Sequence, residues 1–225
     1  MICFVTGTDT GVGKTVASAV LAYLYRSEGR HVAYVKPVQT GLPPGAPGDA
    51  DFVAAVAGVA VEEFFRFDEP LAPAVAAERA DATIGFDEIA TRIKDLASDA
   101  DVLLVEGAGG LLAPLTQGQT MRDLAAAIDA DLIVVTRPGL GTLNHTALTL
   151  EAAAARALPV LGLVVCGWPA KPNPVETTNI ERLHAMIPIL TVVRTIRGLS
   201  VDEARSEGLK RALEKGTALL HYAPL

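Results

Sequence analysis

Cysteine is nearly absent from this chain. The 225 residues hold 2, Cys3 and Cys166, with no CxxC spacing. That excludes a disulfide scaffold and fits a reducing cytoplasm. The 4 histidines, His31, His145, His184 and His221, are scattered. No His/Cys metal cluster is legible. Positive charge is also scarce: 19 Lys and Arg stand against 26 Asp and Glu, a formal net charge of −7. Such a balance argues against a nucleic-acid or anionic-membrane surface. No apolar run approaches the roughly 20 residues of a membrane span. The N-terminus enters an apolar run at once, without a signal-peptide pattern. Internal repeats and low-complexity linkers are missing too.

Apolar residues are abundant, at 50%. They gather in strand-like runs: Ile2–Thr6, His31–Lys36, Asp101–Glu106, Asp131–Thr136, Pro159–Cys166 and Ile189–Arg194. Alanine-rich stretches with helical spacing lie between most of them, as in Leu21, Leu24 and Tyr25, or Ile89, Ile93 and Leu96. Continuous apolar strands alternating with helices predict a parallel sheet covered on both faces. The expected fold is α/β: a doubly wound, mostly parallel sheet flanked by helices, as a single domain over residues 1–225. Gly41–Gly48, rich in proline and glycine, reads as a mobile loop within it. Phe64–Ala77 reads as mostly irregular.

One stretch organises the rest. Thr6-Gly7-Thr8-Asp9-Thr10-Gly11-Val12-Gly13-Lys14-Thr15 follows the first apolar run and precedes a helical pattern, Val16 to Tyr25. Strand, glycine-rich turn and helix make a phosphate cradle of the P-loop NTPase type. Backbone N–H groups from Gly11, Val12, Gly13, Lys14, Thr15 and Val16 would hold a triphosphate. Lys14 would reach the β/γ-phosphates, and the Thr15 hydroxyl would face Mg²⁺. The usual pattern wants glycine at position 8; here Thr8 stands there and Gly7 comes one residue early.

Parallel sheets bind ligands beyond the carboxyl ends of their strands. The second predicted strand ends in Lys36-Pro37-Val38-Gln39-Thr40-Gly41, the third in Glu106-Gly107-Ala108-Gly109-Gly110. The fourth leads into Arg137-Pro138-Gly139-Leu140-Gly141-Thr142-Leu143-Asn144-His145. A lysine, a carboxylate and two glycine-rich turns would therefore share one rim with the nucleotide. Each has a structural alternative. Lys36 and Glu106 can be the first solvated residues after a strand, and Thr142 can be an N-cap. Asp51 can be a cap or first-turn acid of a helix through Ala57, with Asp49 competing for either role.

Four segments in this order resemble the dethiobiotin synthetase family: GTDTGVGKT at Gly7–Thr15, KPVQTG at Lys36–Gly41, EGAGGLL at Glu106–Leu112 and GLGTLNHT at Gly139–Thr146. The resemblance runs from Gly7 to Trp168. It implies ATP-dependent carboxylation and ring closure of 7,8-diaminononanoate with CO2, through a carbamate and a carbamic–phosphoric anhydride. On it, Lys36, Lys14 and Thr10 act on the carbamate and γ-phosphate, and Thr40 contacts the diamine. Thr15, Asp51 and Glu106 hold Mg²⁺, with Gly107, Ala108 and Gly109 beside the nucleotide. The helix start Gly141, Thr142, Leu143 and Asn144 takes the distal carboxylate, supplied by the neighbouring subunit of a homodimer. Backbone around Pro70 to Pro73 lines the substrate tunnel. A cytoplasmic enzyme that touches neither nucleic acid nor membrane is expected.

Two other classes compete. A partition-type P-loop ATPase, a nucleotide-driven dimer switch, would carry a signature lysine where this chain has Asp9 and a glycine where it has Thr10. Another carboxylate-activating amide ligase would share the sheet and loop. Base recognition is a separate matter. Many members of the resembled family carry Asn where Lys171 stands. A lysine only donates hydrogen bonds, so it cannot pair with both the acceptor and the donor on adenine's edge. Backbone near Thr195, Ile196 and Arg197 would then read the base, and other nucleoside triphosphates would be accepted.

Overall fold

A computed structural model describes residues 1–195 and 203–220. The first strand, β1 (Ile2–Gly7), is central, and its residues alternate between two apolar layers. Cys3 and Val5 pack towards α1 (Lys14–Ser27) and α2 (Asp49–Ala57), while Phe4 faces the opposite side. Alternation of this kind buries a strand on both faces. The sheet order is β3-β2-β4-β1-β5-β6-β7-β8. Its members are β2 (Val32–Thr40), β3 (Ala60–Phe67), β4 (Val102–Gly110), β5 (Asp131–Thr136), β6 (Val160–Trp168), β7 (Ile189–Arg194) and the two-residue β8 (Leu219–Leu220). Neighbours from β3 to β7 pair in parallel; β8 pairs antiparallel with β7.

α8 (Glu203–Glu214) joins α1 and α2 on one face. The opposite face is covered by α3 (Pro73–Arg79), α4 (Phe86–Ala97) and α5 (Met121–Ala127). A third apolar cluster seats α7 (Pro174–Met186) against β6 and β7, with Leu143 and Leu150 of α6 (Thr142–Ala154) packed on it. Among the described residues no helix is long and apolar enough to cross a membrane.

Phe64–Ala77 is more ordered than its composition suggests. It contains the end of edge strand β3 and most of α3. β3 reads Ala-Val-Glu-Glu-Phe-Phe-Arg-Phe, with charges where an interior strand would be apolar. Edge strands tolerate and even favour such charges, which discourage further pairing. α3 begins at Pro73, whose fixed φ and missing N–H suit a first helical position.

β2 also runs four residues beyond its expected end, so Lys36 lies inside a strand and not at its carboxyl end. β2 pairs with β4 only from Val32 to Val35, whereas its pairing with β3 continues to Thr40. Beyond Val35 the two strands part. One edge of β2 is then free of ladder bonds, which is where Pro37 can sit. The gap opens at Lys36 on one strand and Glu106 on the other.

Candidate active site

The phosphate loop joins β1 to α1. Gly11 and Gly13 have φ of +73° and +103°, conformations that side chains rarely adopt. Gly13 caps α1, and a Cβ there would sit 2.8 Å from the Cβ of Cys166. No side chain caps the helix and its first turn holds no acid, so its N–H groups remain free for an anion. Gly7, one position early in the motif, is required by the fold of the loop. A Cβ there would meet the Asp9 carbonyl at 2.7 Å and the Lys14 Nζ at 3.1 Å. Lys14 Nζ donates to that carbonyl at 3.3 Å. Burial holds its ammonium below the ordinary lysine value, with Glu106 offsetting part of the effect.

In the gap between β2 and β4, Lys36 is only 4% exposed. Its Nζ lies 2.7 Å from Asp49 Oδ2 and 2.8 Å from Glu106 Oε1. Burial alone would lower the lysine's pKa; the two carboxylates outweigh it and hold Lys36 above its ordinary value. Burial likewise opposes the Asp49 anion, but Lys36 outweighs it and keeps the carboxyl below the usual range. Thr15 Oγ1 donates to Glu106 Oε1 at 3.1 Å. The inner oxygen, Glu106 Oε2, accepts from Ser18 Oγ at 2.8 Å and Tyr34 Oη at 3.0 Å. Thr10, Lys14, Lys36, Thr40, Asp49 and Glu106 border one cavity of about 340 Å³.

The expected Asp51 does not join this cluster. It is exposed, and its Oδ2 accepts the N–H of Gly48 at 2.7 Å, folding back on the start of its own helix. Asp49 takes its place. Helical spacing explains the difference, because Asp49, Val53 and Val56 fall on one face at i, i+4 and i+7. Val53 and Val56 are buried, so the inward face passes through position 49 and not 51. That periodicity was the signal in the sequence. Gln39 adds to it by accepting the Asp49 N–H at 3.2 Å. The preceding loop, expected to be mobile, is tied to β3: Arg66 Nη1 donates to the Ala46 carbonyl at 2.6 Å.

Thr15, Asp49 and Glu106 offer a hydroxyl and two carboxylates, all oxygen donors beside a phosphate loop. Mg²⁺ is held in this way, by one or two carboxylates plus substrate phosphates, so the donor set fits.

The sheet and loop resemble solved P-loop ATPases. The septum site-determining protein MinD of Pyrococcus horikoshii OT3, complexed with Mg-ADP, superposes with a TM-score of 0.57 at 18% identity, covering 93% of this chain and 84% of that one. The cell division ATPase MinD of Pyrococcus furiosus gives 0.53 at 18%, covering 95% and 98%. At such identity the likeness shows the fold alone. A family profile described as an AAA domain matches residues 2–201. Sequence relatives are much nearer. The ATP-dependent dethiobiotin synthetase BioD of Mycobacterium avium (strain 104) is 50% identical over 195 residues, 85% of this chain and 86% of that protein. The enzyme of the same name from Mycobacterium sp. (strain KMS) is 49% identical over 194 residues, 84% and 85%. That from Corynebacterium diphtheriae is 44% identical over 189 residues, again 84% and 85%.

The chain belongs to the dethiobiotin synthetase family. Against that family's expected site, several residues fall elsewhere. Gly107 does not border the 340 Å³ cavity; a Cβ there would meet the Phe4 ring at 2.9 Å, so its smallness serves packing. Ala108 and Gly109 do border it. Pro70–Pro73 do not: Pro70 packs on Gly41, and Pro73 opens α3. Val12 lies across the phosphate loop, on a second cavity of about 440 Å³ that Gly11, Gly13 and Val16 share with the first. Thr195 borders that second cavity; Ile196 and Arg197 lie outside the described residues.

The start of α6 does not reach Lys36 within one chain. Gly141, at φ +90°, is the N-cap, and Thr142 is already helical and 1% exposed. Its hydroxyl is held 2.6 Å from that of Thr136. Gly141, Thr142, Leu143 and Asn144 border neither cavity, and Leu140 before them is 84% exposed.

Proposed function

We propose that this chain makes dethiobiotin from 7,8-diaminononanoate, CO2 and ATP, with the reaction centred on Lys36. The observation that carries this reading is the Lys36 ammonium held between Asp49 and Glu106, in a cavity walled by the phosphate loop. One amine adds to CO2, forming a C–N bond and losing a proton. A carbamate oxygen attacks the γ-phosphorus, and the bond to ADP breaks. The second amine attacks the carbonyl carbon, phosphate leaves, and the ureido ring closes with loss of a second proton.

The carbamate, the anhydride and the γ-phosphate are all anionic, so catalysis rests on positioning and charge stabilisation. Lys36 would hold the carbamate. Lys14, a buried ammonium that donates to the Asp9 carbonyl, would bridge carbamate and γ-phosphate. Thr10 and Thr40 border the same cavity and would add hydroxyl contacts. Thr15, Asp49 and Glu106 would hold Mg²⁺, which offsets charge on the phosphoryl oxygens. ADP release should require both diaminononanoate and bicarbonate. Release that continues unchanged with either omitted would return the chain to the nucleotide-switch class.

The distal carboxylate of the diamine would meet the α6 start of a second copy, which explains why that start lies away from its own cavity. Leu140 and Leu148, 84% and 57% exposed, would be covered in such a homodimer. Light scattering should then give twice 23.4 kDa. Leu140→Glu should yield inactive monomers; an active monomer would refute the shared site.

Base selectivity should be weak. Among the described residues bordering the second cavity there is no asparagine or glutamine. Asn173, two residues after Lys171, is engaged elsewhere: its Oδ1 caps α7, accepting from Val175 and Glu176 N–H groups. The preference for ATP should be narrowed by about 1–3 kcal/mol, the scale of one lost base-edge pair. Side-by-side kcat/KM values for ATP, CTP, GTP and UTP test this, with Lys171→Asn expected to shift the enzyme towards ATP. An ATP preference above ~1,000-fold would overturn it.

A further inference from the structure

Glu106 is 1% exposed, yet four side chains converge on it. They divide by oxygen. Oε1 takes Thr15 and Lys36, which border the cavity; Oε2 takes Ser18 and Tyr34, which do not and are both 0% exposed. The division follows from spacing. Ser18 is three residues after Thr15 on α1, so the two share a helix face. Tyr34 is two residues before Lys36 on β2, so these two share a strand face. Each element thus sends one residue to the cavity and a second to the back of the same carboxylate.

A glutamate's last side-chain torsion is broad, and its two oxygens are otherwise interchangeable. A carboxylate only accepts hydrogen bonds, so both hydroxyls must donate. Two donors on Oε2, one from a helix and one from a strand, fix the plane of the group and the direction in which Oε1 faces. We propose that Ser18 and Tyr34 are positioning residues for the reaction, holding Glu106 Oε1 at the cavity wall in the orientation that receives the metal–nucleotide complex. The inference rests on reading Glu106 as a metal-side carboxylate.

A role confined to satisfying a buried charge would change stability alone. ADP affinity with and without Mg²⁺ separates the two roles, measured by calorimetry on wild type, Ser18→Ala, Tyr34→Phe, the double variant and Glu106→Gln. Metal-free ADP affinity should stay near wild type in all of them. The tightening that Mg²⁺ brings should shrink ~10-fold in each hydroxyl variant, the lower end of what losing an outer partner of a metal ligand costs. The double variant should lose little more than either single, because freeing Oε2 once already frees the group. In turnover, kcat should fall with the KM for diamine unchanged. If Tyr34→Phe does not fold, Ser18→Ala, which removes one atom, decides alone. Wild-type Mg²⁺ tightening in the hydroxyl variants, with only the melting temperature lowered, overturns the positioning role, provided Glu106→Gln loses it. Tightening that survives in Glu106→Gln overturns the reading of Glu106 itself.

Discussion

Lys36→Ala should lower kcat by at least ~100-fold, the scale of losing one preorganised charge contact in a water-poor site. Among the described residues the ammonium is the only side-chain cation bridging Asp49 and Glu106, and Lys14 donates to the Asp9 carbonyl at the phosphate loop. A lysine on an exposed rim would be removed at little cost to the fold, but this one is buried. Its loss leaves the two carboxylates facing each other without the ammonium that bridges them. Breaking a buried ion pair from one side costs about 3–5 kcal/mol, and the lower end applies here because the Asp49 side chain is 29% exposed. The variant should therefore melt lower than wild type and gain more from Mg²⁺ than wild type does. Thermal melts with and without the metal, beside steady-state turnover, test both halves. Near-normal turnover would remove Lys36 from the chemistry. A melting point insensitive to the substitution would show that Lys36 does not offset the two carboxylates' repulsion.

Asp49→Asn should raise the Mg²⁺ concentration for half-maximal activity by at least ~10-fold. Asp51→Asn should leave it near wild type. The two residues are two positions apart on α2, so they point to different sides of the helix. Asp49 faces Lys36 and Thr15, while Asp51 folds back on Gly48. Losing the Asp51 charge removes a favourable interaction with the helix N-terminus, worth about 0.3–1 kcal/mol, and should show only as a slightly lower melting temperature. A Mg²⁺ titration of both variants decides. The reverse ranking would restore Asp51 as the metal-side carboxylate.

The features legible in the sequence are those written in local order. Gly11, Gly13, Lys14 and Thr15 form a cradle from consecutive residues, because strand, tight turn and helix follow directly on one another. The parallel sheet is legible for a similar reason: each buried strand must be apolar along its length, whatever its neighbours. The edge strand β3 escaped this rule because one side of it is free, so Glu62, Glu63 and Arg66 can stand in it.

Which side chains meet at the phosphate loop was decided elsewhere. Lys36 and Glu106 are 70 residues apart and meet because β2 and β4 part after Val35. Thr15 and Ser18 reach the same glutamate across 91 and 88 residues. No local pattern marks Ser18 or Tyr34, since a serine in a helix and a tyrosine in a strand are ordinary packing residues until their partner is known. The chain alone determined that a phosphate cradle, a lysine and a carboxylate stand on one sheet. The spacing of Val53 and Val56 already turned Asp49, and not Asp51, inward; only the tertiary structure decided that this inward position meets Lys36 and stands by Glu106, because that depends on how α2 packs against β2 and α1.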